Sequence, residues 1–233
     1  MLRERYPDAH CELTWSEPHE LLVATILSAQ STDVGVNKAT PVLFRAFPTP
    51  ADYARAGADA IAPHIRSLNF WRMKARAVAE SMAALVERHG GEVPKSMDAL
   101  LALRGVARKT ANVVLGNVFG INVGVVVDTH VGRLSRRLGL SRHDDPVRVE
   151  RDLMALFPQE SWCELSHLLI FHGRRVCKAR GGTCADDPIC QRFCSQARPR
   201  AARRAKAVTE GAQAAPSRRP QASTRRPPSR RRG

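Results

Sequence analysis

The sequence has few aromatic residues and lacks a long apolar run. Phe, Trp and Tyr together make up 5% of the 233 residues, although 43% of the chain is hydrophobic. A hydrophobic core must therefore consist mainly of Ala, Val, Leu and Ile. No apolar run approaches the roughly 20 residues that a membrane-spanning helix requires. The basic residues near the amino terminus are not followed by the apolar stretch of a signal peptide. We therefore expect a cytoplasmic protein.

Acidic residues are scarce relative to basic ones, and the excess is concentrated at one end. The chain has 37 Lys and Arg against 22 Asp and Glu, a formal net charge of +15. Residues 198–233 hold twelve of the basic residues and one Glu, which leaves +4 for residues 1–197. This segment is rich in Pro, Ala, Ser and Arg, so we expect it to be a disordered tail. Its charge favours non-specific binding to phosphate backbones, although a merely solubilising extension is an alternative.

Strand-like alternation is rare, and helix signals dominate. Apolar residues recur at three- and four-residue spacing from Leu22 to Leu27 and from Ala75 to Val86, as on one face of a helix. Thr49 followed by Pro50 is a typical helix start. The apolar run at residues 123–127 resembles a strand, but five residues without a partner do not make a stable sheet. We predict an all-α fold in which this run is a buried connection.

Residues 97–119 are predicted to form two helices joined by a short turn. Gly105 in this turn permits a backbone conformation closed to other residues, and Val106 would anchor the turn in the core. The unpaired amides that open the second helix can bind one phosphate group. This helix-hairpin-helix arrangement is typical of sequence-independent contact with the DNA backbone. Two helices joined at a glycine are, however, also common in proteins that do not bind DNA.

Four blocks of the sequence carry a family resemblance. They read LLVATILSAQSTDVGVNKA at 21–39, LRGVARKTANVVLGNVFG at 103–120, VVVDTHVGRLSRRLG at 125–139 and HLLIFHGRRVCKARGGTC at 167–184. The sequences of these blocks and their order closely resemble those of the endonuclease III family of DNA glycosylases. The resemblance extends over residues 12–194 and excludes the predicted tail.

The resemblance implies a two-domain helix-hairpin-helix glycosylase fold with a small metal-cluster domain. Residues 12–122 would form a helical barrel domain that carries the hairpin. Residues 1–11 and 123–197 would together form the cluster domain, followed by the Arg-rich tail at 198–233. The active site would lie in the cleft between the two domains.

By the same resemblance, Lys109 is the nucleophile and Asp128 the catalytic carboxylate of a base-excision enzyme. A primary amine can displace a damaged base from the anomeric carbon and leave a Schiff base, after which β-elimination breaks the strand 3′ to the lesion. The carboxylate would deprotonate the amine or stabilise the cationic sugar. Because only a neutral lysine can attack, we expect a desolvated cleft around Lys109. From residue type alone, a lysine placed like Lys109 is most often a solvated charge or a phosphate contact, and an aspartate placed like Asp128 is most often a helix N-cap.

Recognition of the lesion requires that the nucleotide be flipped out of the duplex. The resemblance implies that Gln30 fills the vacated space and that Phe70 is the apolar wedge between bases, with Trp71 as the alternative wedge. A helix cap for Gln30 and a core position for Phe70 are the structural alternatives. The other residues expected to line the pocket or contact DNA are Ser28, Gly105, Ala107, Thr110, His130, Arg174 and Lys178.

Two residues of the hairpin depart from the family pattern. The family usually has Pro where this chain has Arg104, and Gly where it has Ala107. Arg104 would add a phosphate contact. The Cβ of Ala107 is expected to crowd a turn built for glycine, which makes DNA affinity the property most affected.

Four of the six cysteines lie close together in sequence. Cys11 and Cys163 are isolated and are expected to be small buried residues. The others are Cys177, Cys184, Cys190 and Cys194, a density that favours a metal site over disulfides in a cytoplasmic protein. Thiolates suit either zinc or an iron–sulfur cluster, and the family resemblance implies a structural [4Fe–4S] cluster that holds a basic loop against DNA.

The spacing of these cysteines differs from the family pattern. The family usually has C-x6-C-x2-C-x5-C, whereas this chain has C-x6-C-x5-C-x3-C. Asp187 stands where the third cysteine is expected, and the last cysteine falls one residue late. Zinc or an incomplete site therefore remain alternatives to the cluster.

The family resemblance implies a bifunctional DNA glycosylase and abasic-site lyase for oxidised pyrimidines. Its partner would be double-stranded DNA containing damaged bases or abasic sites, and it would act as a monomer associated with a bacterial nucleoid. A monofunctional glycosylase of the same fold is one alternative, although such relatives generally lack the lysine. A non-catalytic DNA-binding protein that uses the hairpin, the cysteine site and the tail is the other.

Overall fold

A computed structural model describes residues 1–194, which form α-helices joined by turns and loops. Their α-helices are α1 (Leu2–Arg5), α2 (Pro18–Ser28), α3 (Asp33–Ala46), α4 (Pro50–Ile61), α5 (Trp71–His89), α6 (Met97–Leu101), α7 (Arg108–Phe119), α8 (Thr129–Arg137), α9 (Pro146–Leu156), α10 (Trp162–Arg175) and α11 (Pro188–Phe193). Short 3₁₀ turns lie at Ala62–Ile65, Gln159–Ser161 and Cys184–Asp186. Within residues 1–194 no strand is assigned, so the predicted all-α class is confirmed.

The predicted tail, residues 198–233, lies outside the described residues, as do the last three residues of the predicted range 123–197. In the part of the chain that is described, no helix is both long enough and apolar enough to cross a membrane.

The helix starts follow the capping signals of the sequence. At α4 the Thr49 side chain accepts a hydrogen bond from the Asp52 amide, and the Asp52 carboxylate accepts one from the Thr49 amide at 3.0 Å. This reciprocal pair satisfies two amides that the helix itself leaves free. Helix α5 begins at Trp71, four residues before the first residue of the apolar repeat, and is preceded by Phe70 in a left-handed conformation with φ 57°.

The buried apolar residues form two main clusters. The first extends from Leu13 to Leu115 and is built around α2, α5 and α7. The second extends from Val125 to Cys194 and is built around α8, α9 and α10. The predicted boundary between residues 122 and 123 falls between these two clusters, although the domain ranges themselves stay a prediction.

The apolar run at residues 123–127 crosses between the clusters without regular secondary structure. Val125 and Val126 are buried, and the Val126 amide donates to Ser166 Oγ on α10 at 3.0 Å. The predicted buried connection is therefore confirmed. It leads directly to Asp128 at the start of α8.

The turn between α6 and α7 is held against α5. Gly105 has φ +77°, and a Cβ added there would lie 3.1 Å from the Cβ of Ala77. Val106 is buried in the first cluster, as predicted. The Ser81 hydroxyl donates to the Arg104 carbonyl at 2.6 Å. The turn therefore depends on glycine both for its backbone conformation and for its contact with α5.

We expect Gly105→Ala to destabilise the fold more than Gly139→Ala does. Gly139 has a similar φ of +74°, but nothing lies within 4 Å of an added Cβ. Left-handed strain costs each variant about 1–2 kcal/mol, and the contact with Ala77 adds about 1–3 kcal/mol to Gly105→Ala. The free energy of unfolding in urea measures the difference. Equal losses in the two variants would show that the hairpin turn does not depend on its packing against α5.

Candidate active site and cysteine cluster

Lys109 and Asp128 come from opposite sides of the cleft and line the same cavities. Lys109 is in the first turn of α7, which packs in the first cluster, whereas Asp128 precedes α8 of the second. Both residues line an inner cavity of about 110 Å³ and an outer one of about 620 Å³. The structure thus brings the two predicted catalytic residues together. Lys109 is exposed, so the free protein does not provide the desolvated surroundings that the sequence led us to expect.

Asp128 is the N-cap of α8. Its Oδ1 accepts hydrogen bonds from the amides of His130 and Val131, each at 2.8 Å. The structural alternative for this residue is therefore correct, but it does not compete with a role in the cavity. A cap with two amide donors fixes the carboxylate at the helix N-terminus, where the helix dipole stabilises negative charge.

Asp33 is a cavity residue that the sequence reasoning missed. It opens α3 and lines both the inner and outer cavities. Burial raises the pKa of Asp33, and the neighbouring Asp128 carboxylate adds to this effect, while Lys109 and His130 oppose it. The sequence signal that could have identified Asp33 is its position directly after SAQST in the first of the four blocks, at residues 21–39. The cleft therefore holds three carboxyl groups near one amine, those of Glu12, Asp33 and Asp128.

Arg174 lies across the cleft from Asp33. Its Nη2 donates to Asp33 Oδ2 at 2.6 Å, and its Nη1 pairs with Glu12. Arg174 belongs to α10, whereas its partners belong to α3 and the amino-terminal segment. Its guanidinium thus joins the two sides of the cleft. The role in DNA contact that we expected for Arg174 stays a prediction.

The start of α7 presents free amides, as a phosphate-binding hairpin requires. Ala107 is the N-cap residue and provides no side-chain hydrogen bond. Its φ of −93° and ψ of 169° are extended values that any residue adopts, so the expected crowding by its Cβ is wrong. Arg104 pairs with Glu80 at 2.8 Å on the outside of the turn, and Thr110 is half-buried one turn into the helix. Phosphate contacts by these residues stay predictions.

Gln30 and Phe70 share an unusual backbone conformation. Within residues 1–194 they are the non-glycine residues with positive φ, at 52° and 57°. Asn69 Nδ2 donates to the Gln30 carbonyl at 2.9 Å, which links the two segments. Strained residues of this kind often cluster at functional sites. Gln30 does not cap a helix, since α2 ends at Ser28 and its C-cap is Ala29.

Phe70 is the better candidate for the wedge than Trp71. Its side chain is 55% exposed, so the alternative of a core position is wrong. Trp71 instead packs partly against the first cluster, and the guanidinium groups of Arg66 and Arg72 lie 5.7 and 4.1 Å from its ring centroid. Phe70 is thus available to a partner molecule, whereas the Trp71 ring is already in contact with its own chain.

Ser28 and His130 also lie where the pocket was predicted. Ser28 lines both the inner and outer cavities, although its hydroxyl donates to the Thr25 carbonyl at 2.8 Å. His130 lines the outer cavity, and its Nδ1 is 3.1 Å from Arg133 Nη2. Lys178 is exposed in the loop beyond α10.

His167 forms part of the wall of the inner cavity and was not anticipated. Its Nε2 lies 2.8 Å from Asn117 Oδ1 and 3.6 Å from Cys163 Sγ. Burial lowers the pKa of His167 to about 4 and raises that of Cys163 to about 11. Both groups are therefore neutral near pH 7. Cys163 and Cys11, expected to be buried, are half-buried and line this cavity.

The four clustered cysteines are buried together in the second core cluster. The Sγ atoms of Cys177, Cys184 and Cys190 all lie within 4.8 Å of one another. A hydrogen bond from Cys190 lowers the pKa of Cys177 to about 5, and one from Arg137 Nη1 at 3.3 Å adds to this effect against the opposing burial. Buried sulfur donors with a favoured thiolate fit a metal or iron–sulfur site.

Asp187 explains how the shifted cysteine reaches this site. Its Oδ1 accepts from the Cys190 amide at 2.9 Å and so caps α11. Its Oδ2 pairs with Arg5 at 2.8 Å. The short helix that begins after Asp187 brings Cys190 beside Cys177 and Cys184. The family has a cysteine at the position of Asp187. In this chain Asp187 instead caps α11, and α11 provides Cys190.

Comparison with known proteins places this geometry among DNA-repair proteins. The family model described as HhH-GPD superfamily base excision DNA repair protein matches residues 23–159. The chain is 51% identical to endonuclease III of Synechocystis sp. over 186 residues, which cover 80% of this chain and 85% of that protein. It is 40% identical to endonuclease III of Escherichia coli over 193 residues, 82% and 91% of the two chains.

Solved structures agree with the sequence comparison. The structure of a trapped endonuclease III–DNA covalent intermediate has a TM-score of 0.80 and 44% identity, and the match covers 85% of this chain and 93% of that one. A thermostable thymine-DNA glycosylase has a TM-score of 0.73 at 20% identity and shares the fold.

The low pKa of His167 predicts a loss of stability in mild acid. The unfolded chain protonates this histidine below about pH 6.5 and the folded chain only below about pH 4. Its contribution is therefore complete above about pH 6.5 and is lost as the pH falls toward 4, by about 2 kcal/mol between pH 7 and 5. Urea unfolding at the two pH values should show this loss in the wild type and less of it in His167→Gln. The exposed His143→Gln serves as the control, and an unchanged pH dependence in His167→Gln would contradict the assignment.

Proposed function

Since this chain belongs to the endonuclease III family of the HhH-GPD superfamily, we propose that it is a bifunctional DNA glycosylase and abasic-site lyase for oxidised pyrimidines. The observation that supports this most directly is the shared cavity of Lys109 and Asp128. A related structure holds a covalent endonuclease III–DNA intermediate, which fits an enzyme with an amine nucleophile.

The reaction follows from the chemistry of the two groups. The lone pair of Lys109 Nζ attacks the anomeric carbon, the bond from that carbon to the base breaks, and the base leaves with the bonding electrons. Asp128 accepts a proton from the attacking amine or stabilises positive charge on the sugar. The sugar ring then opens to a Schiff base, which acidifies the proton on the adjacent carbon. Loss of that proton expels the 3′ oxygen and breaks the strand.

Closure of the cleft on DNA would provide the desolvated surroundings that Lys109 lacks in the free protein. Lys109 is exposed in the free protein, whereas a lysine attacks as the neutral amine, the form that desolvation favours. A flipped nucleotide in the outer cavity would cover Lys109 and displace water from it. The amine would thus become reactive only when substrate is bound, next to the Asp128 carboxylate that accepts its proton.

The exposed Phe70 and the turn between α6 and α7 are the proposed contacts with the DNA duplex. Double-stranded DNA with damaged bases or abasic sites is the proposed partner, bound by a monomer in a bacterial nucleoid. Phe70 would enter the base stack while Gln30 fills the space left by the flipped nucleotide. The free amides at the start of α7 would hold a backbone phosphate, with Gly105, Ala107 and Thr110 forming that turn.

The cysteine site is proposed to hold a [4Fe–4S] cluster. Cys177, Cys184, Cys190 and Cys194 would be its ligands, and the cluster would be structural. Arg133 supports this arrangement, because its guanidinium donates to the carbonyls of Gly173 and Cys177. The loop that follows Cys177 exposes Lys178 toward solvent, where it would meet DNA.

Borohydride trapping tests the proposed reaction. Reduction should link the wild type covalently to DNA that contains an abasic site or an oxidised pyrimidine, and Lys109→Gln should abolish the adduct. Lys95→Gln, which changes an exposed lysine beside Phe119 at the carboxyl end of α7, should trap like the wild type. A wild type that binds DNA without trapping would support a monofunctional or non-catalytic relative instead.

The substitution Asp128→Asn distinguishes the role of this residue as a helix N-cap from the role of its negative charge in the reaction. Asparagine caps a helix about as well as aspartate, so we expect the free energy of unfolding to change by less than about 0.5 kcal/mol. Loss of the carboxylate should slow trapping about 100-fold. Asp145→Asn, the equivalent change at the N-cap of α9, should alter neither quantity. A full trapping rate in Asp128→Asn would mean that Asp128 is only a cap.

Metal analysis tests the cysteine site. Protein purified without oxygen should show broad visible absorbance and about four irons per chain, as a [4Fe–4S] cluster requires. Cys190→Ser should lose iron, while Cys163→Ser should retain it. Stoichiometric zinc in place of iron would contradict the proposed cluster.

A further inference from the structure

A buried carboxylate joins the two sides of the cleft directly behind Lys109. Glu150 is on α9, between the core residues Val149 and Leu153, and is 7% exposed. Its oxygens accept from Arg108 Nε at 3.1 and 3.0 Å and from Asn112 Nδ2 at 3.1 Å. Both donors are on α7, so one side chain of the second cluster holds a helix of the first.

The two donors define how α7 is rotated about its axis. Arg108 and Asn112 are four residues apart and so lie on the same face of the helix, one turn from each other. Lys109 follows Arg108 and points about 100° further around the helix. Fixing one face over a full turn therefore fixes the direction in which the Lys109 side chain leaves α7. The N-cap of this helix has no side-chain hydrogen bond to fix its first turn locally.

Gly124 leaves room for this contact. A Cβ at this position would overlap Glu150 Oε1 and would lie 2.7 Å from Asn112 Nδ2 and 3.1 Å from Arg108 Nη2. The backbone of Gly124 is not left-handed, so the demand is for space and not for conformation. Gly124 also lies in the connection that leads to Asp128. The contact thus involves both the helix that carries Lys109 and the connection that leads to Asp128.

A gain in stability alone does not account for this arrangement. Burying a carboxylate costs desolvation energy that its partners roughly offset, so such pairs contribute little net stability. Arg108 pairs with Glu150, although it lies at the amino-terminal end of α7, where a basic side chain could instead contact a phosphate. From these observations we infer that Glu150 is a positioning residue that sets the attack geometry of Lys109, an inference that rests on the proposed glycosylase and lyase function.

Glu150→Gln tests this role, because it keeps the size of the side chain and removes its charge. The trapping rate at saturating DNA should fall about 10- to 100-fold, since a displacement of about 1 Å costs that much. The dissociation constant for DNA should stay the same or decrease, because Arg108 is released near the phosphate site. Glu164→Gln, which breaks a two-bond pair with Arg3 on the exposed surface, should change neither.

Gly124→Ala provides an independent test by displacing the carboxylate without removing it. It should lower the trapping rate like Glu150→Gln, and the double variant should be no slower than the slower single one. Thermal unfolding establishes that each variant is folded at the assay temperature. An unchanged trapping rate in folded Glu150→Gln would overturn the inference, as would a loss explained entirely by weaker DNA binding. Failure of the wild type to trap would instead contradict the proposed function.

Discussion

The active site depends on polar contacts that cross between two separate apolar clusters. Each cluster is internally packed, but the cleft between them is lined with charged and neutral polar groups. Arg174 joins Asp33 and Glu12 on one side of Lys109, and Glu150 joins Arg108 and Asn112 on the other. These contacts are directional, so they fix distances within the cleft that apolar packing alone would leave adjustable.

This dependence explains why the proposed catalytic pair is built from two helix starts. Lys109 lies in the first turn of α7, which has no side-chain cap, and Asp128 caps α8 through two amides. An uncapped helix start attracts the phosphate of the substrate, whereas a capped one holds the carboxylate in place. In the proposed reaction, the two ends would therefore bind substrate and position a base with the same backbone chemistry. The cysteine site stabilises the second of these helices through Arg137, which donates to Cys177 Sγ.

Local features of the fold were predictable from the sequence, because caps and turns act over a few residues. Thr49, Gly105 and the N-cap role of Asp128 are examples. The reaction was inferred from the family resemblance and not from the spacing of Lys109 and Asp128. Asp33, His167 and Glu150 were missed because their partners lie far away in sequence. The crowding expected at Ala107 was wrong, since that residue is extended and only Gly105 carries the left-handed turn.

In the proposed reaction, Lys109 at the mouth of this cleft is the nucleophile whose nitrogen forms the covalent bond to DNA. The most direct measurement is peptide mass spectrometry of the borohydride-reduced adduct after proteolysis and digestion of the DNA. We predict that the sugar remnant is attached to Nζ of Lys109. Attachment to Lys74, the buried lysine that donates to Ser31, or to the amino-terminal amine would contradict the account.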